Sequence, residues 1–206
     1  MRYFYDCEFL EDGHTIDLIS IGICAEDGRE YYAVVSEVGG DDDKLYERIC
    51  RTSWLMENVV PHLPLSKDWS GNPVIKQREA QYSGSFSLDL GAPEVLPRWV
   101  VAKQVKEFLL AGDAPELWAY YGAYDHVALC QLWGPMMRLP KGLPMFTLDL
   151  KQEAVRLGDP ELPAQDGAEH NALEDARWNQ RMFEFLRELS SVATKCPTAR
   201  STVTGL

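Results

Sequence analysis

The residues of this 206-residue chain that could do chemistry fall into three short groups. The first is Asp6-Cys7-Glu8, inside the aromatic run Tyr3-Phe4-Tyr5 to Phe9. On a strand, side chains alternate between faces, so Asp6 and Glu8 point the same way, about 7 Å apart. Two carboxylates at that spacing can share divalent cations through hard oxygen ligands. Acids in a buried strand are costly unless paired or metal-bound, although a D-x-E pattern alone also fits a solvent-facing edge. The second group is Gly122-Ala123-Tyr124-Asp125-His126, where a strand gives way to a helix. Asp125 there suits either helix capping or a ligand at the strand end, where sites in α/β folds collect. The third is His170-Asn171-Ala172-Leu173-Glu174-Asp175, at the start of the last helix. Five residues diverge around a helix, but a His170 that precedes the helix can fold back toward the cleft of Asp175. Each group taken singly is a weak signal.

The elements that must position these residues can be read from periodicity and punctuation. Strands are expected over 2–9, 16–25 and 30–36, with turn chemistry at Glu26-Asp27-Gly28-Arg29, giving an antiparallel meander. A helix is expected from Lys44 to about Val60, stopped by Pro61 and Pro64. Residues 65–96 are rich in Ser, Gly, Pro and Asn, lack a period, and read as an insertion. A helix over 97–111 follows, with Val101, Val105, Phe108 and Leu109 as its buried stripe. Then come a strand over 116–121, a helix from Tyr124 to Trp133, a weaker strand within 145–150, and a short helix through Leu157. The last helix is expected over 171–189, leaving a polar tail at 190–206 and one domain at 1–189. The order β-β-β-α-β-α-β-α predicts an α/β fold: a mixed β-sheet, its early strands antiparallel, flanked by helices on both faces.

Bulk properties limit the classes open to the chain. A net charge of −12 argues against a protein that coats nucleic acid non-specifically. Five scattered cysteines without a C-x-x-C pair argue against a disulfide framework or zinc cluster. No apolar run approaches the roughly 20 residues needed to span a bilayer, and an acid at position 6 comes too early for a signal-peptide core. A cytoplasmic protein with no membrane partner is the expectation.

In this order, the three groups resemble the DEDDh exonucleases, RNase H-like 3′–5′ nucleases, over residues 1 to about 189. The strings FYDCEFLEDGHTIDLISIGI, GAYDHVALCQLWGP and HNALEDAR are similar to a bacterial branch described as polyadenylate-specific 3′-exoribonuclease AS. The resemblance implies an RNase H-like fold and a hydrolase that trims RNA 3′ ends to nucleoside 5′-monophosphates. A DNA exonuclease or a silent nucleic-acid-binding module on the same fold is the alternative. It implies that Asp6, Glu8, Asp125 and Asp175 hold two Mg²⁺ or Mn²⁺ ions and that His170 is the general base, a task suited to a side chain titrating near neutral pH. Many relatives carry Asn and Phe near the central Asp, where this chain has Tyr121 and Tyr124. Around this set, Phe9 either stacks on the terminal base or faces the core opposite Glu8. His126 either orients phosphate or lies on its helix surface, and Arg177 pairs with phosphate or with a carboxylate. A homodimer is a further implication, with Trp54, Trp69 or the segment 65–96 as candidate contacts.

Overall fold

A computed structural model describes residues 1–39, 43–67 and 85–195. Strand β1 (Arg2–Glu11) sets the geometry of the rest. Its alternation sends Tyr3, Tyr5 and Cys7 into the principal core, while Phe4 packs with Cys24 and Ala176 on the other side. Asp6 therefore continues the Phe4 face. Strand β2 (Ile16–Ala25) pairs antiparallel with β1, and β3 (Glu30–Val35) antiparallel with β2.

The remaining elements are α1 (Asp43–Arg51), α2 (Ser53–Asn58), β4 (Val95–Leu96), α3 (Arg98–Leu110), β5 (Glu116–Ala119), α4 (Ala123–Gln131), β6 (Leu148–Asp149), α5 (Leu150–Arg156) and α6 (Ala172–Lys195). The sheet order is β4-β3-β2-β1-β5-β6, with β3–β4, β1–β5 and β5–β6 parallel. This is the expected mixed sheet. Val101, Val105 and Leu109 of α3, Leu129 of α4 and Ile49 of α1 join the core beneath Tyr3 and Tyr5. Helix α6 covers the opposite face through Ala172, Ala176, Asn179, Met182 and Leu186, a buried stripe at helical spacing. Helix α5 docks beside it through Leu150 and Ala154.

The close seating of α6 depends on Gly22, which lies opposite Asp6. A Cβ there would sit 2.2 Å from the Ala172 carbonyl oxygen and 2.4 Å from Leu173 Cα. Only the bare backbone of glycine lets the first turn of α6 rest on β2, and this brings Asp175 over the acids of β1.

Three expectations need correction. The helix expected over 44–60 is two helices and a 3-10 turn, because Thr52 is extended (φ −95°, ψ 97°) and its hydroxyl donates to the Arg48 carbonyl at 2.9 Å. The C-terminal end of the segment 65–96 holds β4, a two-residue strand too short to show a period, whose Val95 is buried. Phe86 and Leu88 are also buried, so the flanks of this segment belong to the core, while 68–84 lie outside the described residues. Finally, α6 runs on through Ser190 to Lys195. No glycine or proline interrupts it until Pro197, and propagating a helix costs little once it has formed. Among the described residues no helix is long and apolar enough to cross a membrane, and Cys7, Cys24, Cys50 and Cys130 are free thiols.

Candidate active site

Asp6, Glu8 and Asp175 converge where the N-terminal turns of α6 cross β1. Each offers a carboxylate oxygen within 4.8 Å of the others. Asp125, in the first turn of α4, shares their cleft. Its Oδ1 accepts the Cys7 backbone N–H at 2.9 Å, so one end of this carboxylate is anchored to β1. Glu8 and Asp125 are buried, at 7% and 6% exposure.

Crowding like charges out of water disfavours their ionised forms. Burial, then the neighbouring Asp125, Glu8 and Asp175, hold Asp6 well above the usual carboxylate range. Glu8 is pushed up to about 8 by burial first and Asp175 next. Asp125 rises to about 7 by burial, against the pull of the Cys7 N–H. Asp175 is raised by burial and drawn back by the Gln165 amide and by His170. Nearby cations are engaged elsewhere: Arg177 with Glu30 and Glu174, and Arg48 with Asp12 and Asp17. The donor set is all hard carboxylate oxygen, with Glu8 and Asp125 buried and Asp6 and Asp175 partly so, and a bound cation would favour its ionised form, so it fits divalent cations of the Mg²⁺ or Mn²⁺ class.

His170 precedes α6 in the left-handed region at φ +63°, a conformation that is uncommon for a residue with a side chain. Asn171 next to it caps the helix, accepting the N–H groups of Leu173 and Glu174 at 3.2 Å. The backbone thus reverses at His170, which lines the same cleft as Asp6 and Asp175. The Trp54 ring, from α2, meets the imidazole edge-to-face at 4.8 Å. Trp54 is half exposed; Trp69 lies outside the described residues.

The surrounding residues divide. Phe9 lines the cleft and stacks on Tyr124 at 6.2 Å between ring centroids. The β1–β2 register shifts between Glu8 and Phe9, so simple alternation does not hold there, and Phe9 is half-buried rather than turned wholly into the core. His126 is not in the cleft. Its Nδ1 bonds Thr147 Oγ1 at 2.9 Å and its Nε2 lies 3.4 Å from Cys130 Sγ. Burial lowers its pKa, favouring the neutral ring. Arg177 takes the carboxylate alternative, donating to Glu30 through Nε at 2.8 Å and Nη2 at 2.6 Å.

Residues not foreseen from sequence complete the frame. Buried Asn179 donates through Nδ2 to the Tyr5 carbonyl at 3.0 Å, tying α6 to β1 beside Asp6. A polar residue within the apolar stripe of a helix was its only signal. Gln165 donates to Asp175 Oδ1 from the preceding loop. Asp149 caps α5 through the Lys151 and Gln152 N–H groups and accepts the Gly122 N–H at 3.0 Å, holding the turn that opens α4. Tyr121 and Tyr124 stand exposed at the mouth of the cleft.

No protein-family model matches the chain. Two relatives do, both named 3′-5′ exoribonuclease, from Mycobacterium tuberculosis strains CDC 1551 / Oshkosh and ATCC 25618 / H37Rv. Each is 44% identical over 190 residues, spanning 90% of this chain and 93% of the relative.

Proposed function

The chain belongs to the family of these 3′-5′ exoribonucleases, and from that premise we propose that it is a metal-dependent enzyme that removes nucleotides from RNA 3′ ends as 5′-monophosphates. The observation that carries this reading is the meeting of Asp6, Glu8 and Asp175 within 4.8 Å, in a cleft they share with Asp125 and His170. Asp6, Glu8, Asp125 and Asp175 would hold two Mg²⁺ or Mn²⁺ ions, the DEDDh arrangement that the sequence resembles. When bound, such ions acidify a water and neutralise charge that develops on the phosphodiester.

The protein's own groups do the rest. His170 accepts the proton of the attacking water on an imidazole nitrogen. Its backbone conformation and the Trp54 ring hold it at the cleft, so little reorganisation is needed at the moment of reaction. Phe9 and Tyr124 offer a stacked aromatic wall beside the carboxylates, and stacking on a terminal base is worth about 1–3 kcal/mol per base without regard to its identity. Cations between the carboxylates would offset locally the net charge of −12 that otherwise repels a polyanion. The likeness of three long strings to the exoribonuclease AS branch supports RNA over DNA.

The test is a time course on 5′-labelled single-stranded RNA and its DNA counterpart with Mg²⁺, Mn²⁺ or EDTA. A metal-dependent ladder that shortens RNA from its 3′ end, and DNA more slowly, is expected. Equal ladders would withdraw the RNA preference. Intact RNA and DNA in the presence of bound metal would refute the enzymatic reading and favour a silent binding module.

A further inference from the structure

Beneath the carboxylates, on the opposite face of β1, three side chains form a hydrogen-bonded line. The Tyr5 hydroxyl lies 2.6 Å from Thr147 Oγ1, and Thr147 Oγ1 lies 2.9 Å from His126 Nδ1. Each end adjoins a carboxylate of the site: Tyr5 precedes Asp6 on β1 and His126 follows Asp125 on α4. The middle member stands just ahead of β6, two residues before the Asp149 that holds Gly122. From these juxtapositions we infer that Tyr5, Thr147 and His126 form a positioning brace that sets the Asp125 helix against the Asp6–Glu8 strand, with the Thr147 hydroxyl as its keystone. The inference rests on the metal-dependent reading of the same site.

The chemistry of the line supports the role. Thr147 has one hydroxyl proton and two neighbours. Either Tyr5 donates to Thr147 and Thr147 to His126, or His126 donates to Thr147 and Thr147 to Tyr5. Both directions are satisfied only while the hydroxyl is present, and Tyr5 is fully buried, so losing Oγ1 strands a phenol without water. The Thr147 methyl has a separate task. It packs at Gly122, where an added Cβ would meet Thr147 Cγ2 at 3.1 Å. Hydroxyl and methyl can therefore be tested apart. Thr147→Val keeps the shape and removes the bond, whereas Thr147→Ser keeps the bond and removes the methyl. His126, for which the sequence leaves phosphate or the helix surface open, is turned to Thr147 and Cys130 and would act through the helix that carries Asp125.

The experiment compares wild type, Thr147→Val, Thr147→Ser and Tyr5→Phe by calorimetric Mn²⁺ affinity without RNA, by kcat and KM on single-stranded RNA, and by thermal melting. Partners that orient metal ligands typically carry about 10–100-fold in metal affinity or activity. Thr147→Val and Tyr5→Phe are expected to lose that much in Mn²⁺ affinity or kcat with KM for RNA unchanged, and Thr147→Ser to keep most of both. If Thr147→Val fails to fold, Tyr5→Phe, which removes only the terminal hydroxyl, decides the matter. Wild-type Mn²⁺ affinity and kcat in a folded Thr147→Val or Tyr5→Phe chain would overturn the brace, even with a lowered melting temperature, since that is all a merely structural bond would show. A wild-type chain that binds Mn²⁺ but leaves RNA intact would overturn the exoribonuclease reading, while the Mn²⁺ affinities would still decide the brace.

Discussion

Gly22→Ala tests the way the fold assembles the site. The added Cβ would lie 2.2 Å from the Ala172 carbonyl oxygen, about 1.2 Å short of the 3.4 Å at which ordinary contact begins. The atoms met are backbone, so no rotamer change relieves the clash. The first turn of α6 must retreat, carrying Asp175, three residues further on, away from Asp6 and Glu8. Overpacking of this kind typically costs about 1–3 kcal/mol, or roughly 2–12 °C in melting temperature for a domain of this size. A misplacement of about 1 Å can cost about 100-fold in rate. The expected outcome is therefore a folded chain, modestly destabilised, with kcat on RNA reduced by about two orders of magnitude and Mn²⁺ affinity reduced with it. The assays are thermal melting, calorimetry and steady-state hydrolysis. An alanine variant with wild-type kcat and melting temperature would refute the argument that β2 and α6 meet backbone to backbone at Gly22.

Glu8 at about 8 and Asp125 at about 7 are raised by burial and neighbouring charge, so the folded metal-free chain binds protons that the unfolded chain releases. The stability these groups contribute is present below about pH 4 and is lost as pH rises toward 8. The melting temperature of the EDTA-treated chain should fall from pH 5 to 8, and Mn²⁺ should restore more at pH 8 than at pH 6; a metal-free melting temperature that climbs over this range would contradict the raised pKa values. Asp175→Asn should abolish hydrolysis yet raise the metal-free melting temperature at pH 8, because it removes one of the crowded charges; wild-type turnover would remove Asp175 from the site. His170→Ala should lower kcat by about 10²–10⁴-fold, and Trp54→Ala should lower kcat in part with Trp54→Phe restoring it; single-turnover kinetics checks both, and unchanged rates would dismiss the base and its support.

Much of the site's geometry was legible because it rests on local rules. Period-2 alternation put Asp6 and Glu8 together, and the aromatic run marked β1 as buried. The mixed sheet followed from three strands on short turns and then alternating helix and strand. What was not legible depends on contacts between distant segments. A glycine in a strand signals close approach, but nothing local says that α6 is what approaches Gly22. Alternation leaves Phe9 between the terminal base and the core face opposite Glu8, and with the register shift between the two residues it both packs against the core and lines the cleft. His126 sits beside Asp125 in sequence, yet its helix turns it to Thr147, 21 residues away, and not to the cleft. The split at Thr52, followed two residues on by the Trp54 that meets His170, lies in one extended residue that a helical stripe does not reveal. Pairs such as Asn179 with Tyr5 and Asp149 with Gly122 join a side chain to distant backbone, so neither partner carries a pattern of its own.

The most direct test of the central claim is Mn²⁺ anomalous scattering from crystals soaked with the ion and a short, non-hydrolysable RNA. Anomalous peaks ligated by Asp6, Glu8, Asp125 and Asp175, with the RNA 3′ end beside His170, are the expected result. Manganese bound elsewhere, or none at this cleft under conditions where RNA is still shortened, would contradict it.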